Sequence, residues 1–182
     1  MPFEFTILDA LQALRCPALD ALAVFFDYAG AHGEIWVAFS AVLLVFRRTR
    51  RAGLAMALAL GLYMLTGHCA LKPLFARPRP CDIRPAMLAL VARPHGWSFP
   101  SGHTASGFAA AFALWRQNRK LGVPALWLAA LIGFTRMYLY VHFPTDILGG
   151  IALGLALGVC GAVLADKVSN KWAKYSEVKR TV

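Results

Sequence analysis

Three short clusters of polar residues stand far apart in a chain that is otherwise strongly apolar. Each cluster offers cations or backbone donors suited to a phosphate group, and two of them add a histidine suited to phosphoryl transfer. The clusters are Lys72 with Arg79-Pro80, the run Pro100-Ser101-Gly102-His103, and Arg136 with His142 and Asp146. Together they indicate an enzyme that removes phosphate from a lipid.

The second cluster has the features of a helix start that binds an anion. Ser101 is a preferred N-cap residue and an apolar run begins directly after it, so a helix is predicted from Gly102. The free N–H groups of such a helix start bind anions, and Gly102 allows a close backbone approach. A simple helix cap is the alternative, but His103 in the first turn would lie beside any bound anion and favours a functional site.

The third cluster places a histidine four residues before a carboxylate, across a proline turn. Arg136 lies near the end of an apolar run, where an unpaired guanidinium is costly, so an anionic partner is expected. Asp146 at the start of the next helix could merely complement the helix dipole. It could instead bond one ring nitrogen of His142, which fixes the tautomer and leaves the other nitrogen free as a nucleophile.

The first cluster supplies two cations. Lys72 ends an apolar run, where snorkelling toward the lipid headgroups is the ordinary alternative explanation. Arg79 stands between two prolines that restrict its backbone, and its guanidinium can grip two phosphate oxygens at once. Arg77 is offset from Arg79 and is expected to point elsewhere.

The composition is that of a polytopic membrane protein. Of the 182 residues 59% are hydrophobic, and they form long runs, whereas a soluble helical bundle needs polar helix faces that these runs mostly lack. The length is ordinary for a single domain over 1–182. The net charge of +10 could suggest nucleic acid, but the basic residues sit in short loops between apolar runs, so no nucleic-acid partner is expected.

The predicted fold class is all-α, a membrane helix bundle with about five or six transmembrane helices and an N-terminal interfacial helix. Two amphipathic stretches, 3–14 and 18–29, are too short to span and are assigned to an interfacial segment over 1–32. A proline-rich loop over 72–101 is predicted to be irregular and to form the outer active-site loop. The predicted spans are residues 33–46, 53–71, 102–115, 123–141 and 146–164.

The basic loops predict the orientation of the bundle. They follow the first, third and fifth spans, so alternating spans put them on one side, which the positive-inside rule makes cytoplasmic. These residues are Arg47, Arg48, Arg50, Arg51, Arg116, Arg119, Lys120, Lys167, Lys171, Lys174, Lys179 and Arg180. All three polar clusters then meet on the extracytoplasmic side. The prediction is a multi-pass protein of the plasma or inner membrane whose active site faces outward.

In order and spacing, the three clusters resemble the tripartite signature of the type 2 phosphatidic acid phosphatase (PAP2) superfamily, which vanadium haloperoxidases and glucose-6-phosphatase share. One departure is Thr135 before Arg136, where the family commonly has serine; threonine keeps the hydroxyl. The helix pattern fits from about residue 33 to 165. The matching motifs are Lys72-x6-Arg79-Pro80, Pro100-Ser101-Gly102-His103 and Arg136-x5-His142-x3-Asp146.

This resemblance implies a role for each matched residue. His142 would attack phosphorus and form a phosphohistidine, Asp146 would orient and charge-stabilise it, and His103 would protonate the leaving oxygen and then activate water. The family is metal-independent, so neither a metal nor a cofactor is expected, and positioned positive charge would serve in their place. The residues that would hold the phosphoryl oxygens are Lys72, Arg79, Ser101, Gly102 and Arg136.

The expected function is hydrolysis of a lipid phosphate or diphosphate taken from the bilayer. Undecaprenyl diphosphate is favoured because an outward-facing site suits a carrier lipid that is discharged outside. Phosphatidylglycerophosphate and phosphatidic acid are alternatives. A non-catalytic lipid-phosphate binder or transporter is an alternative of another class, but it would need cations and no nucleophile with an orienting carboxylate.

Overall fold

The protein is all-helical, as predicted, over the residues that the computed structural model describes, which are 2–30, 33–85, 87 and 90–181, with side chains as far as Trp172. A π-helical stretch, Met64–Leu71, continues α4 into α5 without a break. The helices in chain order are α1 (Pro2–Gln12), α2 (Pro17–Gly30), α3 (Glu34–Val45), α4 (Arg50–Tyr63), α5 (Lys72–Phe75), α6 (Pro80–Ile83), α7 (Gly102–Gln117), α8 (Arg119–Tyr138) and α9 (Pro144–Thr181).

Caps and prolines in the sequence explain where the longer helices begin. α7 starts directly after Ser101, whose side chain makes no capping hydrogen bond, whereas α8 starts after Asn118, whose side chain accepts a hydrogen bond from the Leu121 amide at 3.2 Å. α9 begins at Pro144, because proline is well tolerated in the first turn of a helix. The fifth predicted span therefore starts two residues earlier than expected, and its helix runs well past the predicted end at 164.

α7 is the central helix and packs against α4, α8 and α9. Its contact faces carry small residues, of which Ala105 and Ala109 are fully buried. Gly154 of α9 allows a close helix approach, because a Cβ there would lie 2.7 Å from the Ala105 carbonyl oxygen. This packing fixes the position of the start of α7, where the second polar cluster stands.

Among the described residues, three stretches are long and apolar enough to cross a membrane, namely Arg50–Ile83, Arg119–Tyr138 and Pro144–Trp172, and α2 with α3 meets the same criterion as one bent pair. Large apolar side chains such as Trp127 and Leu148 lie exposed on these helices, as lipid contact requires. The chain is therefore a multi-pass membrane protein, as predicted. The number of five or six spans stays a prediction, since α7 has only 16 residues.

The two N-terminal helices pack onto the end of α8 and the turn that follows it. Ala23 of α2 is buried in one cluster with Tyr138, and Gln12 of α1 donates a hydrogen bond to the Tyr138 carbonyl at 2.7 Å. The interfacial assignment of 1–32 stays a prediction, but this packing brings acidic residues of both helices to the functional site. A further apolar cluster, between α1 and the turn, consists of Phe5, Leu8, Tyr140 and Phe143.

Candidate active site

The three polar clusters meet at one cavity of about 580 Å³, at the end of the bundle where α7 begins and α8 ends. Ser101 and Asp146 lie next to the cavity lining, and both are fully buried. The fold thus brings all of the predicted site residues to one place. Those that line the cavity itself are Lys72, Arg79, Gly102, His103, Arg136 and His142.

The ring of His142 lies between a carboxylate and a guanidinium. Its Nδ1 is 3.5 Å from Oδ2 of Asp146, and its Nε2 is 3.0 Å from Nη1 of Arg79. A guanidinium donates and cannot accept, so Nε2 must offer a lone pair, and the ring proton sits on Nδ1, which faces the Asp146 carboxylate and also lies 3.3 Å from Ser98 Oγ. Nε2 is therefore the nitrogen that can act as a nucleophile.

Burial keeps this ring neutral. His142 is 2% exposed, and its burial lowers its pKa well below the usual value of about 6.5. The positive charges of Arg79 and Arg136 act in the same direction, whereas the hydrogen bond to Asp146 raises the pKa. The result is an imidazole whose Nε2 carries an unprotonated lone pair at neutral pH, directed at Arg79.

Asp146 is held by donors on both of its oxygens. Oδ2 accepts hydrogen bonds from Ser98 Oγ at 2.5 Å and from the Phe143 amide at 2.8 Å, and Oδ1 accepts one from Arg77 Nη1 at 2.7 Å. Arg77 bonds Asp146 within the site, so the expectation that it points elsewhere is wrong. Ser98 belongs to no motif, because its role arises only when the 72–101 loop folds back onto α9.

Backbone carbonyl groups orient the two cations of the first cluster. Lys72 Nζ donates to the Trp97 carbonyl at 2.7 Å, and Arg79 donates to the carbonyls of Gly96 at 3.0 Å and Val141 at 3.1 Å. Because these acceptors are neutral, the contacts do not cancel the positive charges. Arg79 is 4% exposed, so an anion in the cavity would meet its charge in a medium of low dielectric constant.

Arg136 pairs with Asp27 of α2, a carboxylate that sequence reasoning did not place at the site. Arg136 Nη1 donates to Asp27 Oδ1, which also lies 3.8 Å from His103 Nε2. Arg136 is 1% exposed, and its Nε has no hydrogen-bond partner among the described residues, so a phosphoryl oxygen would satisfy this donor. The clue in the sequence is Asp27 itself, which stands among apolar neighbours in the amphipathic stretch 18–29, where an unpaired carboxylate is costly.

Ser101 is the N-cap residue of α7, but its side chain does not cap the helix. Its Oγ accepts a hydrogen bond from Thr104 Oγ1 at 3.0 Å, which leaves the serine proton available to an acceptor. Gly102 follows in close contact with α4, because a Cβ there would lie 2.8 Å from Oη of Tyr63. A glycine at this position therefore keeps the start of α7 close to the wall of the cavity.

Comparisons with known proteins agree with one another. Residues 48–169, which include all three clusters, match the model of the PAP2 superfamily. The undecaprenyl-diphosphatase of Sulfolobus acidocaldarius is 29% identical over 153 residues, which cover 84% of this chain and 73% of that protein. The undecaprenyl-diphosphatase BcrC of Bacillus subtilis is 30% identical over 162 residues, which cover 85% of this chain and 80% of that protein.

A solved structure extends the similarity to the whole bundle. The transmembrane PAP2-type phosphatidylglycerolphosphate phosphatase of Bacillus subtilis superposes with a TM-score of 0.71 at 29% sequence identity. The superposition covers 93% of this chain and 86% of that one. It therefore includes the helices that carry the cavity.

Proposed function

This chain belongs to the PAP2 superfamily and is a membrane-bound phosphatase, and from that premise we propose that it hydrolyses a lipid diphosphate, with undecaprenyl diphosphate favoured, through a phosphohistidine on His142. The observation that carries the proposal is the neutral His142 ring, whose Nδ1 faces Asp146 and whose Nε2 faces the cation Arg79. A protein that only binds a lipid phosphate needs cations but no oriented nucleophile.

The reaction runs in two displacements at phosphorus. Nε2 of His142 forms a bond to the terminal phosphorus while the bond from phosphorus to the lipid-side oxygen breaks, and His103 gives that oxygen a proton. Water then attacks the phosphohistidine, His103 takes a proton from the water, and the N–P bond breaks to release inorganic phosphate. Both histidines return to their starting state, and no other reactant is consumed.

Fixed positive charge holds the transferring group in both steps. Arg79 and Arg136 are buried donors at the cavity, and Lys72 adds a point charge. The amide of Gly102 and the hydroxyl of Ser101 complete a cradle at the start of α7. Such an arrangement stabilises charge on the equatorial oxygens without reorganisation at the moment of reaction.

The cavity holds more basic groups than one phosphoryl group requires. Besides the motif residues it is lined by His68, Arg93 and His95. If the terminal phosphoryl group of a diphosphate lies at His142, its second phosphoryl group needs cationic partners of its own, and this part of the cavity can supply them. The names of two curated relatives support the same substrate class. The name of the structural neighbour supports the second candidate, phosphatidylglycerophosphate.

The proposed location is the plasma or inner membrane, with the cavity open to the extracytoplasmic side. The support is the separation of charges along the bundle. Arg51 at the start of α4 and Gln117 at the end of α7 both bond Asp166 at 2.7 Å, so these basic loops share one end. The cavity lies where α7 begins, at the opposite end of that helix. The positive-inside rule then assigns the cavity to the outer face.

Phosphate release from purified protein in lipid nanodiscs tests this function. The substrates are undecaprenyl diphosphate, undecaprenyl phosphate, phosphatidylglycerophosphate and phosphatidic acid, each with and without EDTA. We expect the highest kcat/KM for the diphosphate, no loss with EDTA, and no turnover in His142→Ala. The variant Arg93→Gln should raise KM for the diphosphate more than for the monoesters, whereas Arg84→Gln, an exposed arginine of the same loop paired with Asp9, should not.

Each arm of this panel can overturn one part of the proposal. Equal turnover by His142→Ala would remove His142 as the nucleophile. Preference for phosphatidylglycerophosphate with no effect of Arg93→Gln would establish the second candidate. Binding of all four lipids without phosphate release would leave only a non-catalytic binder.

A further inference from the structure

A carboxylate of the first helix is connected to the reaction centre by an unbroken line of charged contacts. Glu4 of α1 is 6% exposed, and its Oε2 lies 2.7 Å from Nη2 of Arg77. The other terminal nitrogen of the same guanidinium lies 2.7 Å from Oδ1 of Asp146. Asp146 in turn faces Nδ1 of His142. Charges of opposite sign therefore alternate from Glu4 to the ring that forms the phosphohistidine.

Further contacts fix the geometry of Arg77. Its Nη1 also donates to Thr145 Oγ1 at 2.7 Å, and the Thr145 hydroxyl donates to Glu4 Oε1 at 2.5 Å. The guanidinium lies 4.2 Å from the ring centre of Phe143, the neighbour of His142 in the chain. A side chain with this many directional contacts has one orientation, so it can hold Asp146 in one orientation too.

We propose that Glu4 and Arg77 are positioning residues of the reaction, which hold the Asp146 carboxylate in register with His142 and balance the charge beside it. The inference rests on the proposed role of His142 as the nucleophile. Neither residue is among those that line the cavity, and the contact that leads from them to His142 runs through Asp146. α1 is by this inference a working part of the active site.

The two residues have distinct parts in this arrangement. Arg77 gives the fully buried carboxylate of Asp146 a charged partner on the oxygen that does not serve His142. Glu4 balances the positive charge of Arg77, which would otherwise oppose the positive charge that His142 gains on phosphorylation. Burial raises the pKa of Glu4, but hydrogen bonds from Thr145 and Arg77 outweigh this effect and hold that pKa below its usual value. Glu4 is therefore ionised at neutral pH.

The test compares two carboxylates of α1 that both pair with an arginine of the 72–101 loop. Glu4→Gln removes the charge that leads to Asp146, whereas Asp9→Asn removes the partner of the exposed Arg84. We expect Glu4→Gln to lower kcat by about 10-fold or more with KM changed by less than about twofold. A loss of kcat of this size is typical when a group that orients a catalytic residue is removed. Asp9→Asn should stay within about twofold of the wild type in both constants.

A pH profile separates this role from simple docking of α1. The charged and titratable groups that face His142 directly or across the cavity are Arg79, Asp146, Arg136, Lys72, His103, Asp27, Tyr63, His68, Arg93 and His95. These groups are identical in both variants. Glu4→Gln leaves Arg77 unbalanced, which disfavours the protonated His142, so the acid limb of kcat/KM should move to lower pH. Asp9→Asn should leave the limb in place.

The outcomes are distinct. A wild-type kcat and pH profile in Glu4→Gln, or equal losses in Glu4→Gln and Asp9→Asn, would overturn the inference. A wild type without phosphate release would instead refute the proposed function. If Glu4→Gln does not fold, Thr145→Val decides, because it removes the hydroxyl that holds Glu4 and keeps the side-chain volume. A lowered kcat at constant KM in Thr145→Val supports the inference, and unchanged kinetics overturn it.

Discussion

Burial keeps the His142 ring neutral before any substrate binds, as its proposed role as the nucleophile requires. A histidine at the surface is partly protonated near neutral pH, whereas the environment of this ring disfavours its charged form. In the proposed mechanism the ring becomes cationic once Nε2 binds phosphorus, and Asp146 then stabilises that charge. Burial thus keeps the ring neutral at the start, and Asp146 supports the cationic intermediate afterwards.

This arrangement predicts the pH dependence of turnover. Because burial lowers the pKa of His142, the ring stays neutral at pH values where an ordinary histidine is protonated. The acid limb of kcat/KM should therefore lie below about pH 6.5. Asp146→Asn removes the group that raises this pKa, so the limb should move further down while kcat falls by about 10²–10⁴-fold. Measurement between about pH 4 and 8 checks both shifts. A wild-type acid limb above about pH 6.5 would contradict the assignment.

At the scale of elements, the site depends on the fit between α7 and α9. α7 carries Ser101, Gly102 and His103 at its start, and α9 carries Asp146 in its first turn. The Ser101 amide donates to the Asp146 carbonyl at 3.1 Å, so the two helix starts are tied together. Small residues along the interface let the helix backbones approach closely enough for this bond.

A single methyl group should disturb this fit. In Gly154→Ala the new Cβ would lie 2.7 Å from the Ala105 carbonyl oxygen, so the helices must move apart, at a cost of about 1–3 kcal/mol. We expect a lower midpoint of thermal unfolding and a lower kcat. The control is Gly61→Ala on α4, where no described atom lies within 4 Å of an added Cβ. A Gly154→Ala variant as stable and active as this control would contradict the role of the close contact.

At the scale of the whole molecule, the two ends of the bundle differ in how their basic residues are arranged. One end collects the basic loops around Asp166, where Arg51 and Gln117 meet. The other end collects the cavity, and there most of the arginines are paired with carboxylates or bonded to backbone carbonyls. The basic residues of these loops are thus separated from the basic residues around the cavity.

The proposed orientation predicts which end a reagent can reach. In a variant without the four natural cysteines, Arg93→Cys should react with a membrane-impermeant maleimide in cells whose inner membrane is intact. Arg119→Cys, at the basic end, should react only after lysis. Labelling is read from a gel shift of the purified protein. The reverse pattern would place the cavity on the cytoplasmic side. It would also remove the reason for favouring undecaprenyl diphosphate, a carrier lipid that is discharged outside.

The sequence by itself determined the features that depend on local chemistry. Long apolar runs specify membrane helices, Ser101 marks the start of α7, and Pro144 marks the start of α9. The spacing of His142 and Asp146 across that turn is also local, and so their proximity could be predicted. The three motifs could be assigned to one site because each is recognisable within its own stretch of the chain.

Only the tertiary structure decided which distant charges become partners. Asp27 lies 109 residues from Arg136, and Glu4 lies 73 residues from Arg77, so no periodicity or spacing could connect them. Ser98 reaches Asp146 only because the loop folds back onto α9. Each of these side chains is ordinary in its own segment, and its function arises from the neighbours that helix packing supplies. Partner choice among buried charges is a property of three-dimensional proximity, because the cost of burying a charge falls only where an opposite charge is actually in contact.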